Sequence, residues 1–141
     1  MAKSSVDSIR AFNRYYTHII GLLDKGYLET GYSLTEARIL FEISIAEKKD
    51  TSEIIDTMLI DKGYLSRVLK KFEKDQLITR SKSPKDARAS QIKLTKKGIT
   101  ELNLLNALTD SKIEELLKNL TREDVNKLVL HMNSIVKILD K

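Results

Sequence analysis

The 141-residue sequence contains no cysteine. Disulfides, thiolate metal sites, a catalytic thiol and thiol-based redox sensing are therefore excluded. Glycine and proline number five and one, far below the roughly 12% of an average chain. So few turn formers argue against a sandwich or barrel of many short strands and for a few long helices. There is no tryptophan, and aromatic residues make up 6%. No apolar run approaches the ~18 residues of a membrane span. The stretch from Met1 to Tyr16 lacks the apolar segment of a secretory signal, so the expected setting is the cytoplasm.

What is present is an ordinary apolar content, 41%, beside an unusual share of charge, 32%, and a net charge of +5. A chain of this size buries roughly 68% of its unfolded surface and builds a core without staples. The charge is unevenly placed. Between Asp61 and Lys97 twelve Lys and Arg stand against four acids, a net +8, while the remainder of the chain is −3. Such asymmetry points to a polyanion-binding face on a neutral or acidic body.

Apolar periodicity organises the chain. Ile9, Phe12, Tyr16, Ile19, Ile20 and Leu23 recur at helical steps over about 5–25, with breaks expected at Gly26 and Gly31. Thr35 is expected to cap a second helix over 36–47, followed by a polar turn at Lys48-Lys49-Asp50. Thr51 or Ser52 caps a short helix over 53–58. Asp61 then opens a helix to about Lys74, with Leu65, Val68, Leu69 and Phe72 on one face. Two short helices joined by Leu59-Ile60-Asp61 read as a helix-turn-helix. The period then changes to that of strands at 77–82 and 90–94, a β-hairpin whose tip carries the single proline, Pro84. Thr95 caps a long helix ending near Asn119. Thr121 and Asp124 cap a final helix whose Val125, Leu128, Met132, Ile135 and Leu139 follow a heptad spacing.

The helix opened by Asp61 is two-faced. Opposite its apolar stripe lie Gly63, Ser66, Arg67, Lys70, Lys71 and Lys74. A helix fits the major groove of DNA, where Arg and Lys donate to guanine edges or phosphates and Ser serves either. Gly63 costs about 1 kcal/mol relative to Ala in a helix, which close approach of a backbone would explain. A basic helix face is most often merely solvated, but this one follows a three-residue turn and precedes a basic hairpin. In that hairpin Lys82, Lys85 and Arg88 surround the turn, and an Arg on such a tip suits a narrow minor groove. Asp86 is placed to orient the Arg88 guanidinium by a bidentate pair; the plainer reading is a surface salt bridge.

From Leu34 to Gly98 the chain resembles the winged helix-turn-helix regulators of the MarR type. The matching residues are Leu34-Thr35-Glu36-Ala37, Asp61-Lys62-Gly63-Tyr64-Leu65-Ser66-Arg67, and Asp86-Ala87-Arg88 before Ile92-Lys93-Leu94-Thr95-Lys96-Lys97-Gly98. At Ala87 the family commonly has a second Arg. The helical flanks fit the same plan. The resemblance implies a mainly α fold with a small β-hairpin, a winged helix-turn-helix plus dimerisation helices. Residues 1–33 would belong to the dimerisation region, 34–98 to the DNA-binding domain and 99–141 to C-terminal dimerisation helices. The implied partners are double-stranded DNA and a second copy of the chain, on a pseudo-palindromic operator. The excess apolar surface of the flanking helices independently suits a dimer.

Expected DNA contacts are Thr51, Ser52, Lys62, Gly63, Tyr64, Ser66, Arg67, Lys70, Lys71, Lys82, Lys85, Asp86 and Arg88. The family often binds a small phenolic or anionic effector between its dimerisation helices and winged helix, commonly relieving repression. Tyr15, Tyr16, His18, Ile19, Tyr27 and Phe41 are the corresponding candidates; the competing reading makes them core and interface aromatics. Neither His18 nor His131 has the neighbours of a ligand set, and no nucleophile elbow or phosphate loop is present. No metal, cofactor or catalytic site is expected. The rival function is a winged-helix protein-interaction module, which would carry an apolar outer helix face.

Overall fold

The computed structural model describes residues 4–28, 30–45, 49–85 and 88–141; at 20 and 22–28 the backbone alone is described. The described elements run α1 (Ser5–Leu28), α2 (Leu34–Ser44), β1 (Lys49–Asp50), α3 (Thr51–Met58), α4 (Lys62–Lys74), β2 (Ile78–Lys82), β3 (Ser90–Leu94), α5 (Lys96–Leu117) and α6 (Arg122–Leu139). The chain divides into two compact units, residues 1–109 and 110–141.

The first unit is built around one apolar core. Ile39, Leu40 and Ile43 of α2, Ile54 of α3, Leu65, Leu69 and Phe72 of α4, and Ile92 of β3 are buried to within 1%. The mainly helical fold with a small antiparallel sheet agrees with the sequence. The sheet has three strands, however, in the order β1-β3-β2. Lys49 pairs with Ile92 and Asp50 with Gln91, where a polar turn was expected. β2 and β3 form the expected hairpin, with Ile78 opposite Leu94 and Lys82 opposite Ser90.

Three local expectations are corrected. α1 continues through Gly26 to Leu28. α2 is capped by Ser33, not Thr35: the Glu36 N–H donates to Ser33 Oγ and the Ser33 N–H to Glu36 Oε1, both at 3.1 Å. That reciprocal box satisfies two donors at once, which Thr35 inside the first turn cannot do. α3 begins at Thr51, with Asp50 as its N-cap residue but without a side-chain cap bond. The turn into α4 rests on Leu59, held left-handed at φ 52° and ψ 41°, a conformation few non-glycine residues adopt.

In the second unit, α6 starts at Thr121, whose Oγ1 accepts from the Asp124 N–H at 3.1 Å. None of the α6 residues is buried. Val129, Leu130, Val136 and Ile138 are each more than half exposed.

Candidate nucleic-acid interface

Asp61 starts α4 as the sequence predicts, its carboxylate accepting from the Tyr64 N–H at 2.9 Å. Leu65, Val68, Leu69 and Phe72 fasten one side of the helix into the core. At about 100° per residue, Gly63, Arg67, Lys70 and Lys74 then fall some 150–170° from the middle of that buried side. These four, with Lys62, are exposed. Ser66 and Lys71 lie nearer the flanks, and Ser66 is half-buried. Tyr64 is half-buried against the core, and the Arg67 guanidinium stands over its ring, 5.9 Å from the centroid.

Gly63 also has an explanation within its own helix, beside the passing backbone that the sequence suggested. A Cβ built there lies 3.0 Å from Asp61 Oδ2, so the glycine leaves room for the cap of its own helix.

Thr51 and Ser52 stand at the first turn of α3, half-buried and exposed respectively. Beside them Asp50 is 8% exposed, and its Oδ1 has no hydrogen-bond partner among the described residues. Composition and period carry no signal for this buried carboxylate. At the hairpin, Lys82, Lys85 and Arg88 are exposed. The tip is shaped by Ser83, whose N–H donates to the Ala89 carbonyl at 3.2 Å and whose Oγ accepts from the Lys85 N–H at 3.3 Å. Asp86 lies outside the described residues, as does its expected pairing with Arg88.

Lys71, itself exposed, has partners within the fold. Its Nζ donates to Glu36 Oε2 at 2.7 Å and sits 5.7 Å from the centroid of the Tyr32 ring. Burial raises the Glu36 carboxyl, but hydrogen bonds from Lys71 and Ser33 outweigh it and hold the group below its ordinary value. The Tyr32 hydroxyl is pushed up by burial, then by the charges of Glu101 and Asp75.

The effector candidates with described side chains lie on α1 and α2. An open cleft of about 400 Å³ is lined by Arg38, Phe41, Glu42, Thr57 and Met58; among the candidates whose side chains are described, Phe41 alone lines it. Tyr15, Tyr16 and His18 are exposed along α1 and Ile19 is half-buried. Tyr16 stacks on Phe12, with centroids 5.6 Å apart. The Tyr27 side chain lies outside the described residues. Among the described residues there is no group of three His, Asp or Glu able to hold a metal, and no helix long and apolar enough to cross a membrane.

The arrangement of α3, turn, α4 and hairpin has close relatives. The profile of the MarR family matches residues 32–90. The transcriptional regulator SarZ of Staphylococcus epidermidis is 30% identical over 139 residues, covering 98% of this chain and 85% of that protein. The chain belongs to the MarR family. The SarZ alignment, unlike the family profile, reaches over both helical flanks. A second regulator, MhqR of Bacillus subtilis, is 27% identical over 125 residues, 89% of this chain and 86% of that one. The fold is that of wild-type MarR from E. coli, with a TM-score of 0.81 and 21% identity over 96% of this chain and 98% of that chain. A mutant MarR from E. coli complexed with operator DNA has a TM-score of 0.75 and 22% identity, covering 94% of this chain and 99% of that one. These MarR-family relatives are transcription regulators rather than enzymes.

Proposed function

We propose that this MarR-family regulator binds a pseudo-palindromic DNA operator as a homodimer, with α4 in the major groove and the β2–β3 hairpin in the flanking minor groove. The observation that carries the reading is the division of α4. One side is sealed into the core by four apolar residues. The opposite side presents Arg67, Lys70 and Lys74 to solvent, in the charge and shape that suit a groove lined by phosphates. A protein-docking module would need an apolar outer face here, and the exposed cations weigh against it. Thr51 and Ser52 would meet phosphates through the start of α3. Lys62, Gly63, Tyr64 and Ser66 would approach base edges with Arg67 and Lys70. Lys82, Lys85, Asp86 and Arg88 would form the wing contact.

The apolar surface left on α1 and, separately, on α6 supports pairing with a second copy. Residues 34–98 would then be the DNA-binding part, with 1–33 and 99–141 serving dimerisation. A two-fold dimer sets two recognition helices one DNA turn apart, about 34–36 Å. Repression in the cytoplasm, relieved by a small phenolic or anionic effector, completes the reading; Phe41 beside Arg38 on an open cleft supports such a ligand.

The test is selection of bound sequences from random duplexes, followed by affinity measurements across salt. Enrichment of an inverted repeat is expected, with log affinity falling linearly in log salt at about −0.9 per phosphate neutralised. A flat dependence between roughly 50 and 200 mM salt excludes the reading.

A further inference from the structure

Lys71 stands apart from Arg67, Lys70 and Lys74, the cations opposite the buried side of α4. Measured from the middle of the buried side it lies at about 110°, against some 150–170° for Arg67, Lys70 and Lys74. This turns it sideways, onto the start of α2. There its ammonium meets Glu36 Oε2 at 2.7 Å. The Glu36 side chain is only 14% exposed, and its other oxygen is held by the Ser33 N–H. The carboxylate is thus already held at one oxygen by Ser33, and Lys71 takes the other.

The neighbouring residue grips the same segment. Phe72 is fully buried and meets the Tyr32 ring edge-to-face, with centroids 6.5 Å apart. The Lys71 ammonium stands over that same Tyr32 ring. Two consecutive residues of α4, one apolar and one charged, therefore clamp the Tyr32–Glu36 segment. The apolar stripe fixes the depth of α4 in the core. An ion pair at the flank restrains its rotation about its own axis.

We propose that Lys71 acts in DNA recognition as a positioning residue, through Glu36, and does not contact phosphate. The proposal rests on the DNA-binding reading above. Side chains extend about 5–6 Å from a helix axis, so a rotation of about 10° moves their tips by roughly 1 Å. Recognition groups need to be held within about 0.5 Å. Loss of the clamp therefore blurs which base edges Arg67 and Lys70 meet, while the number of phosphates neutralised is unchanged.

The experiment measures affinity of the full chain for operator and random duplexes across salt, for wild type, Lys71→Ala, Lys71→Arg, Glu36→Gln and the pair Lys71→Ala with Glu36→Gln. Lys71→Ala is expected to leave the salt slope unchanged while lowering the operator-to-random ratio about tenfold. Glu36→Gln lowers the ratio to a similar degree, the paired variant is no worse than either single change, and Lys71→Arg retains most of the wild-type ratio. Glu36→Gln and Lys71→Arg keep the test open if Lys71→Ala does not fold. A slope shallower by about 0.9 for each phosphate no longer neutralised, with equal weakening on both duplexes, marks Lys71 as a phosphate ligand and overturns the proposal. Tighter binding and a steeper slope in Glu36→Gln overturn it as well, because Glu36 would then be withholding Lys71 from DNA. If wild type itself lacks salt-dependent binding, the DNA-binding reading has failed, and the positioning role fails with it.

Discussion

Gly98, in the first turn of α5, lies so close to the Leu77 carbonyl that a Cβ at that position would overlap the oxygen. The same carbonyl accepts the Thr95 N–H at 3.0 Å, and Thr95 Oγ1 accepts the Gly98 N–H at 3.0 Å. Helix and sheet are joined here backbone to backbone. Gly98→Ala is expected to lower stability by about 1–3 kcal/mol, as overpacking does. Urea unfolding checks this, with a lowered midpoint at unchanged m-value; a midpoint equal to wild type would contradict it.

Arg67 and Lys70 project from the exposed side of α4. If each reads a base edge, Arg67→Ala and Lys70→Ala should each weaken operator binding by roughly 1–3 kcal/mol. Fluorescence anisotropy on operator and random duplexes separates readout from simple charge. Base readout fails if both variants leave the operator-to-random ratio unchanged.

Glu36 makes stability depend on acid pH. Its carboxyl is held below the unfolded-state value by Lys71 and Ser33, against the opposing effect of burial. A lowered folded-state value means a contribution that is present above the unfolded value and lost as pH falls through the folded one. Glu36→Gln should therefore flatten the decline in stability on acidification. Thermal unfolding from neutral pH into the acid range tests this; parallel pH profiles for the two proteins would exclude the linkage.

At the wing, Arg88→Ala should lose affinity together with any preference for A·T-rich flanks, where narrow minor grooves concentrate negative potential. Asp86→Asn removes an acid near the phosphates, so charge alone predicts tighter binding. An orienting Asp86 predicts weaker specific binding instead. Affinities on A·T- and G·C-flanked operators decide between them, and tighter binding by Asp86→Asn on both would deny the positioning role.

Removing the chain from Thr121 onward deletes Leu128, Met132 and Ile135, none of them buried in α6. Dimerisation and tight operator binding should both be lost, because a single half-site forfeits the second set of contacts. Sedimentation of the truncated protein as a stable dimer would contradict this.

The sequence alone determined what is local. The apolar period of α4 and its Asp61 cap are written within fourteen consecutive residues, 61–74, and each acts within a turn or two of itself. The two-residue alternation of β3 and the Thr121–Asp124 box are local in the same sense. The Ser33–Glu36 box also has a sequence signature, Ser-x-x-Glu, but the adjacent Thr35 competes with it, and only the backbone path separates the two. Three features required the tertiary structure. Lys49–Asp50 is too short to show a period and becomes a strand because β3, some forty residues on, offers an open edge. Gly98 matters because the fold brings the Leu77 carbonyl beneath it. Lys71 meets Glu36, thirty-five residues away, only because α4 docks beside the start of α2. A helix's own period tells which residues face away from the core, whereas the partner of a flank residue is set only by which element packs beside it.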